Sequence, residues 1–158
     1  MARPRGSYTG KPPRKSPPAV SANEILRRDA VTAVWRAADR LKREFAAIIE
    51  PRGITLQQHN VLRILRGAGQ EGLPTLTIAE SMIERAPGIT RLIDRLEYKG
   101  LITRERHKSN RRQVLCKITP EGLRLLASLD PLVDAANLRI FAHVTDEQLQ
   151  TLTDALSV

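Results

Sequence analysis

The sequence predicts a mainly α-helical fold with one small β-hairpin set among the helices (α+β), and three observations carry that prediction. Apolar residues recur at spacings of three and four in segment after segment, which gathers them on one side of a helix. Three boxes, Ser21–Glu24, Thr55–Gln58 and Thr145–Gln148, have the Ser/Thr-x-x-Glu/Gln pattern whose side chains and backbone amides pair reciprocally at helix starts. After Gly100 the period changes toward alternation, in two short runs.

The first 23 residues hold Arg3, Arg5, Lys11, Arg14 and Lys15, five prolines and no acid. Proline removes donors and blocks the α region for its neighbours, and the few apolar residues cannot offset the entropy of ordering the segment, so residues 1–23 are expected to be a disordered tail. Its basic charge suits either an arm on DNA phosphates or a plain solubilising tail.

From Ser21-Ala-Asn-Glu24 a long helix is expected, with Ile25, Val31, Val34, Trp35, Ala38, Leu41, Phe45, Ile48 and Ile49 in one stripe until Pro51 and Gly53 stop it. A stripe this long exceeds what a small domain needs to cover. It meets a second subunit, or it lies across its own core.

Thr55-Leu-Gln-Gln58 opens a second helix through Arg66, its buried side being Leu56, Val61, Leu62, Ile64 and Leu65, and Gly67–Gly72 ends it. A short helix capped by Thr75 or Thr77 carries Ile78, Ala79, Met82 and Ile83. The next spans 87–99, with Pro87 in its first turn and Gly100 ending it in the left-handed conformation. Ile89, Leu92, Ile93 and Leu96 face inward there, leaving Thr90, Arg91, Asp94, Arg95 and Tyr98 on other faces.

Leu101–Arg106 and Val114–Ile118 read as two strands joined by the polar, basic loop His107–Arg112. Thr119-Pro-Glu-Gly122 starts a further long helix, expected to kink or break near Asp130-Pro131. A last helix follows Thr145, with Leu149, Leu152 and Leu156 as its apolar side.

Charge separates along this framework. The formal net charge of +9 divides into +5 over 1–23, +1 over 24–84, +6 over 85–112 and −3 over 113–158. More than half of the excess thus falls on 28 residues covering one helix and the hairpin, and a basic concentration of this kind points to a polyanion. Five aromatics are few for stacking on single strands, which favours duplex DNA. The order helix, helix, helix, hairpin is that of a winged helix-turn-helix, whose recognition helix fits a major groove about 12 Å wide while the wing reaches the flanking backbone or minor groove.

The DNA-facing candidates are Arg85, Pro87, Gly88, Thr90, Arg91 and Arg95 on and before the recognition helix, and Arg106, Lys108, Ser109, Asn110, Arg111 and Arg112 in the wing. Arg91 can fork onto guanine O6 and N7, and Thr90 is short enough for a base edge or phosphate. Pro87 and Gly88 allow close approach at an amide-rich helix start. Arg95 reaches either a phosphate or a carboxylate such as Asp94 or Glu97.

Other chemistry finds little material. The single cysteine, Cys116, excludes an internal disulfide framework and a Cys-based zinc site, and on a strand face with Val114 and Ile118 it reads as a small buried hydrophobe. His59, His107 and His143 are scattered, with no paired carboxylates, nucleophile elbow or phosphate loop, so neither an enzyme nor a metal or other cofactor is expected. No run approaches the roughly 18 apolar residues of a membrane span and no apolar signal core is present, so no membrane partner and a cytoplasmic place are expected.

The stretch Ile89-Thr-Arg-Leu-Ile-Asp-Arg-Leu-Glu-Tyr-Lys-Gly-Leu-Ile-Thr-Arg104, with Asn110-Arg-Arg112 and Ile118-Thr-Pro-Glu-Gly122, resembles the MarR-type winged-helix regulators over roughly residues 30–155. The resemblance implies a MarR-like domain over 24–158, with the winged helix-turn-helix at 55–119 between long dimerisation helices at 24–50 and 120–158. It also implies a homodimer with two recognition helices in successive major grooves of a pseudo-palindrome, and often a small aromatic or phenolic effector that lowers DNA affinity. The wing departs from the family's Asp-x-Arg: Asn110 cannot supply an ionised partner, so Arg112 in the minor groove is held less firmly, with Arg111 on phosphate or the two exchanged. For an effector, the expected apolar walls are Trp35, Phe45, Leu62 and Phe141, against the alternative that these fill a core. The expectation is a ligand-responsive repressor; its rivals are a non-specific nucleoid-type binder and a winged-helix ligand- or protein-docking module.

Overall fold

The structure, a computed structural model, describes residues 21–84, 87–106 and 114–157. It divides into two compact units, Met1–Arg36 and Ala37–Val158. In chain order the elements are α1 (Ala22–Ile49), a 3-10 turn (Glu50–Arg52), α2 (Leu56–Gly67), β1 (Leu73–Pro74), α3 (Thr75–Ser81), α4 (Ile89–Tyr98), β2 (Ile102–Arg106), β3 (Val114–Ile118), α5 (Pro120–Ile140) and α6 (Asp146–Leu156).

In the first unit the helix start is satisfied by its capping box. The Glu24 carboxylate accepts from the Ser21 amide at 2.8 Å and hydroxyl at 3.0 Å, while the Ser21 hydroxyl accepts from the Glu24 amide at 3.2 Å. These bonds hold the Glu24 carboxyl below its ordinary pKa. Every residue from Ser21 to Arg36 is exposed, Trp35 at 75%.

The second unit contains the core, in which Ile49, Ile54, Val61, Leu62, Leu65, Ile78, Ile93, Leu96, Ile102, Leu126 and Leu129 pack into one cluster. α2 enters it through a complete Thr55–Gln58 capping box and contributes Val61, Leu62 and Leu65, with Gln58 and His59 buried beside them. Leu56 and Ile64 lie at its margin.

β2 and β3 form the antiparallel hairpin, with Ile102 opposite Ile118, Arg104 opposite Cys116 and Arg106 opposite Val114. The sheet gains a third member, β1, through Leu73–Cys116 and Pro74–Leu115, in the order β1-β3-β2. Two residues are too few for alternation to reveal, and proline is tolerated here because the strand lies at a sheet edge.

Three helix boundaries differ from expectation. α3 starts at Thr75 itself, with Pro74 at its N-cap and no side-chain cap bond. α4 starts at Ile89, so Pro87 precedes the helix and Gly88 is its N-cap. α5 does not break at Pro131: it runs on to Ile140, with Leu126 and Leu129 buried before the proline and Ala136 and Ile140 after it. Proline removes one backbone bond, and burial on both sides of it keeps the helix continuous.

Candidate nucleic-acid interface

α4 is held on one side and open on the other. Leu92, Ile93 and Leu96 are buried and Ile89 is half-buried, whereas Thr90, Arg91, Asp94, Arg95 and Tyr98 are exposed, Tyr98 at 94%. Each large apolar side chain enclosed contributes roughly 1.5–3 kcal/mol, so the inward face anchors the helix without help from the outward one.

The end of α4 is fixed by its backbone. Gly100 takes φ +70°, the Leu101 amide donates to the Leu96 carbonyl at 3.0 Å, and the Gly100 amide donates to the Glu97 carbonyl at 2.8 Å. This is a Schellman motif, with buried Leu96 and Leu101 as its apolar contact. Three more bonds tie the turn to α5. The Thr119 hydroxyl donates to the Gly100 carbonyl at 2.7 Å, the Thr119 amide donates to the Leu101 carbonyl at 3.0 Å, and the same hydroxyl accepts from the Gly122 amide at 3.1 Å. Lys99 Nζ donates to the Gly53 carbonyl, joining the helix end to the turn before α2.

Electrostatics divides the arginines of this region. The Arg104 guanidinium, half-buried on β2, donates to Asp94 and lies 3.3 Å from Glu97. The Asp94 carboxylate keeps the Arg104 pKa above its ordinary value, outweighing partial burial. Arg91 and Arg95 enter no ion pair among the described residues. They border a cleft of about 430 Å³ with Gly88, Gln57 and the acids Glu50 and Glu84, and Glu84 is itself paired with Lys42 on α1 at 2.5 Å. Sequence reasoning left Arg95 between phosphate and a neighbouring carboxylate; Asp94 and Glu97 are both engaged by Arg104 instead.

Of the remaining sequence candidates, Pro87 and Gly88 are exposed before α4, and Arg106 is exposed at the end of β2. Arg85, His107, Lys108, Ser109, Asn110, Arg111 and Arg112 lie outside the described residues. Sequence reasoning missed Arg104, although a signal existed. It shares the alternating strand face of buried Ile102, and a charged residue on an inward face requires a partner.

The apolar candidates differ in exposure, Trp35 being exposed in the first unit. Leu62 is wholly enclosed in the core, Phe45 is half-buried against it, and Phe141 is half-buried at the C-cap of α5. Three clefts of about 430 to 480 Å³ are lined by other residues. Cys116 is buried, its sulfur 3.8 Å from the Thr75 hydroxyl. His59 is 7% exposed, and burial, then Arg63, pushes its pKa below the ordinary value, with Arg66 acting in the same direction and Asp130 opposing. No described helix is long and apolar enough to cross a membrane.

Comparison with known proteins agrees with this arrangement. The MarR family model matches residues 54–114, the span from α2 to the start of β3. A MarR transcription factor from Planctomyces limnophilus is 38% identical, and its crystal structure superposes with a TM-score of 0.65 over 82% of this chain and 93% of that one. CouR from Rhodococcus jostii RHA1, solved bound to p-coumaroyl-CoA, is 29% identical, with a TM-score of 0.72 over 83% of this chain and 91% of its own. The homoprotocatechuate degradative operon repressor of Escherichia coli is 26% identical over 129 residues, 81% of this chain and 86% of that protein.

Proposed function

The chain belongs to the MarR family of DNA-binding transcription regulators, and from that premise we propose that it is a homodimeric repressor that reads a pseudo-palindromic operator and is released by a small aromatic or phenolic effector. One observation carries the reading: α4 is clamped into the core on one face and presents Thr90, Arg91 and Arg95 on the other, with both arginines unpaired among the described residues. Set in a major groove, Arg91 forks onto guanine O6 and N7, a contact worth about 1–3 kcal/mol against the wrong base. Arg95, one turn on, takes a backbone phosphate, which adds affinity without sequence information. Arg106 leads into the wing, where Lys108, Ser109, Asn110, Arg111 and Arg112 contact the flanking backbone and minor groove, and Arg85 takes a phosphate before α4.

The dimer is supported by helix faces that the chain leaves uncovered. α6 buries none of its residues, its Leu152 and Leu156 being exposed, and on α5 Leu138 is 76% exposed. An isolated helix of eleven residues is marginal in water, so α6 needs an apolar partner, and a second copy with the same faces supplies one. The first unit's Ile25, Val31, Val34 and Trp35 are exposed in the same way.

The p-coumaroyl-CoA bound to CouR, a phenolic thioester, supports the effector class, and Phe45 and Phe141 are the proposed aromatic contacts of such a ligand here. Such a ligand acts only through unequal affinity for two arrangements of the recognition helices, and a coupling of about 1–3 kcal/mol relaxes DNA binding roughly 5- to 150-fold. A regulator of this kind works where the DNA is, in the cytoplasm.

The experiment is selection of genomic DNA fragments on the purified protein at about physiological salt, with Arg91→Ala in parallel. A recovered pseudo-palindrome that the variant fails to enrich supports the reading. Fragments with no shared sequence, equally held by both proteins, favour the non-specific binder; no DNA retention favours a docking module.

A further inference from the structure

A helix that reads DNA is poorly served by its own acids, and α4 carries two. At roughly 100° per residue, Asp94 falls between Thr90 and Arg91 around the exposed face, and Glu97 stands at its edge. Unattended, Asp94 offers an intrahelical partner to Arg91, three residues before it, and both carboxylates repel phosphates. That pairing does not form: one guanidinium from another element engages both acids.

That guanidinium is Arg104. Its strand position places it in register with fully buried Cys116 and two residues after buried Ile102, so its stem is packed and its fork reaches toward α4. Nη2 donates to Asp94 and Nη1 lies 3.3 Å from Glu97, carboxylates three residues apart on one helix. The same contact joins β2, the strand leading into the wing, to the helix proposed for the major groove.

We propose that Arg104 is a positioning residue for DNA recognition: it withdraws Asp94 and Glu97 from α4's reading face, leaving Arg91 and Arg95 to phosphates and base edges, and it fixes the wing strand against the helix. The inference rests on the operator-reading function proposed above. It is distinct from DNA contact by Arg104 itself, because the residue acts through the two acids.

The test uses the full chain and a duplex recovered by the selection. Affinity is measured by fluorescence anisotropy for the wild type, Arg104→Met, Asp94→Asn with Glu97→Gln, and the combination of all three, with a thermal melt for each. Arg104→Met is expected to weaken binding about tenfold or more while melting within a few degrees of wild type, since partly exposed ion pairs add little stability. Removing the acids from wild type is expected to change affinity less than about threefold, whereas removing them from Arg104→Met restores most of the loss, a non-additivity that a merely structural role does not produce.

Each result is decisive. If wild type binds the duplex but Arg104→Met binds equally well, or acid removal helps both backgrounds by the same factor, the positioning role is overturned while the operator reading stands. If wild type itself prefers no sequence in the selection, the operator reading falls first and the inference falls with it.

Discussion

Gly122 lies in the first turn of α5, where a β-carbon would sit 2.4 Å from the Leu101 carbonyl oxygen and 2.8 Å from Ile118 Cγ1. Gly122→Ala therefore sets two effects against each other. Alanine favours a helix over glycine by about 1 kcal/mol. Against that, the carbonyl it strikes already accepts the Thr119 amide at 3.0 Å, so the methyl either displaces that bond, worth about 1 kcal/mol, or pushes α5 away from the α4–β2 turn at the roughly 1–3 kcal/mol typical of overpacking. Backbone cannot swing aside as a side chain can, so the upper part of that range, about 2–3 kcal/mol, applies and leaves a net loss of roughly 1–2 kcal/mol after the helix gain. At about 2–4 °C per kcal/mol for a chain of this size, calorimetry should show the variant melting roughly 2–8 °C lower. Gly67, helical and with nothing within 4 Å of its would-be β-carbon, is the control: Gly67→Ala should raise the melting temperature. A Gly122→Ala protein that melts at or above wild type would refute the close approach of α5 to the turn that ends α4.

Three further outcomes are expected. Gly100→Ala meets no neighbour but forces a left-handed backbone on an L-residue, and denaturant titration should show a loss of about 1–2 kcal/mol. His59 is buried with its pKa below the ordinary 6.5, so the unfolded chain takes up its proton first; stability is whole above pH about 6.5 and is lost below it, at up to about 1.4 kcal/mol per pH unit. His59→Gln should flatten this acid limb in melts taken from pH 7.5 to 5, and an unchanged limb assigns it to other groups. Leu138→Glu and Leu152→Glu place a charge on exposed apolar faces, so sedimentation should show them shifted toward monomer with helical content kept; dimers as tight as wild type would locate the interface elsewhere.

The fold was readable where local rules and burial agree. The capping boxes at Ser21, Thr55 and Thr145 all form, and the three-and-four spacing of Ile89, Leu92, Ile93 and Leu96 marks the inward face of α4. Three features escaped because tertiary packing decided them. β1 is two residues on a sheet edge, too short to show a period. Pro131 reads as a breaker until the burial on both sides of it is known. Thr75 and Thr77 both looked like caps, and Pro74 takes that place because its backbone belongs to the sheet. At the interface, exposure of Thr90, Arg91 and Arg95 follows from the period alone. The partner of Asp94 and Glu97 does not, since Arg104 reaches them across a chain reversal at Gly100 that fixes distance only in three dimensions.

The central claim, that α4 reads bases from the major groove in two copies, is tested most directly by guanine N7 methylation interference on a recovered duplex. Methylation occupies the atom that the Arg91 fork requires. The account predicts two clusters of interfering guanines about one helical turn, 10 bp, apart, with Arg91→Ala insensitive to the same methyl groups. Binding that phosphate ethylation disrupts but guanine methylation leaves intact would contradict it, placing the protein on the backbone without a base-reading helix.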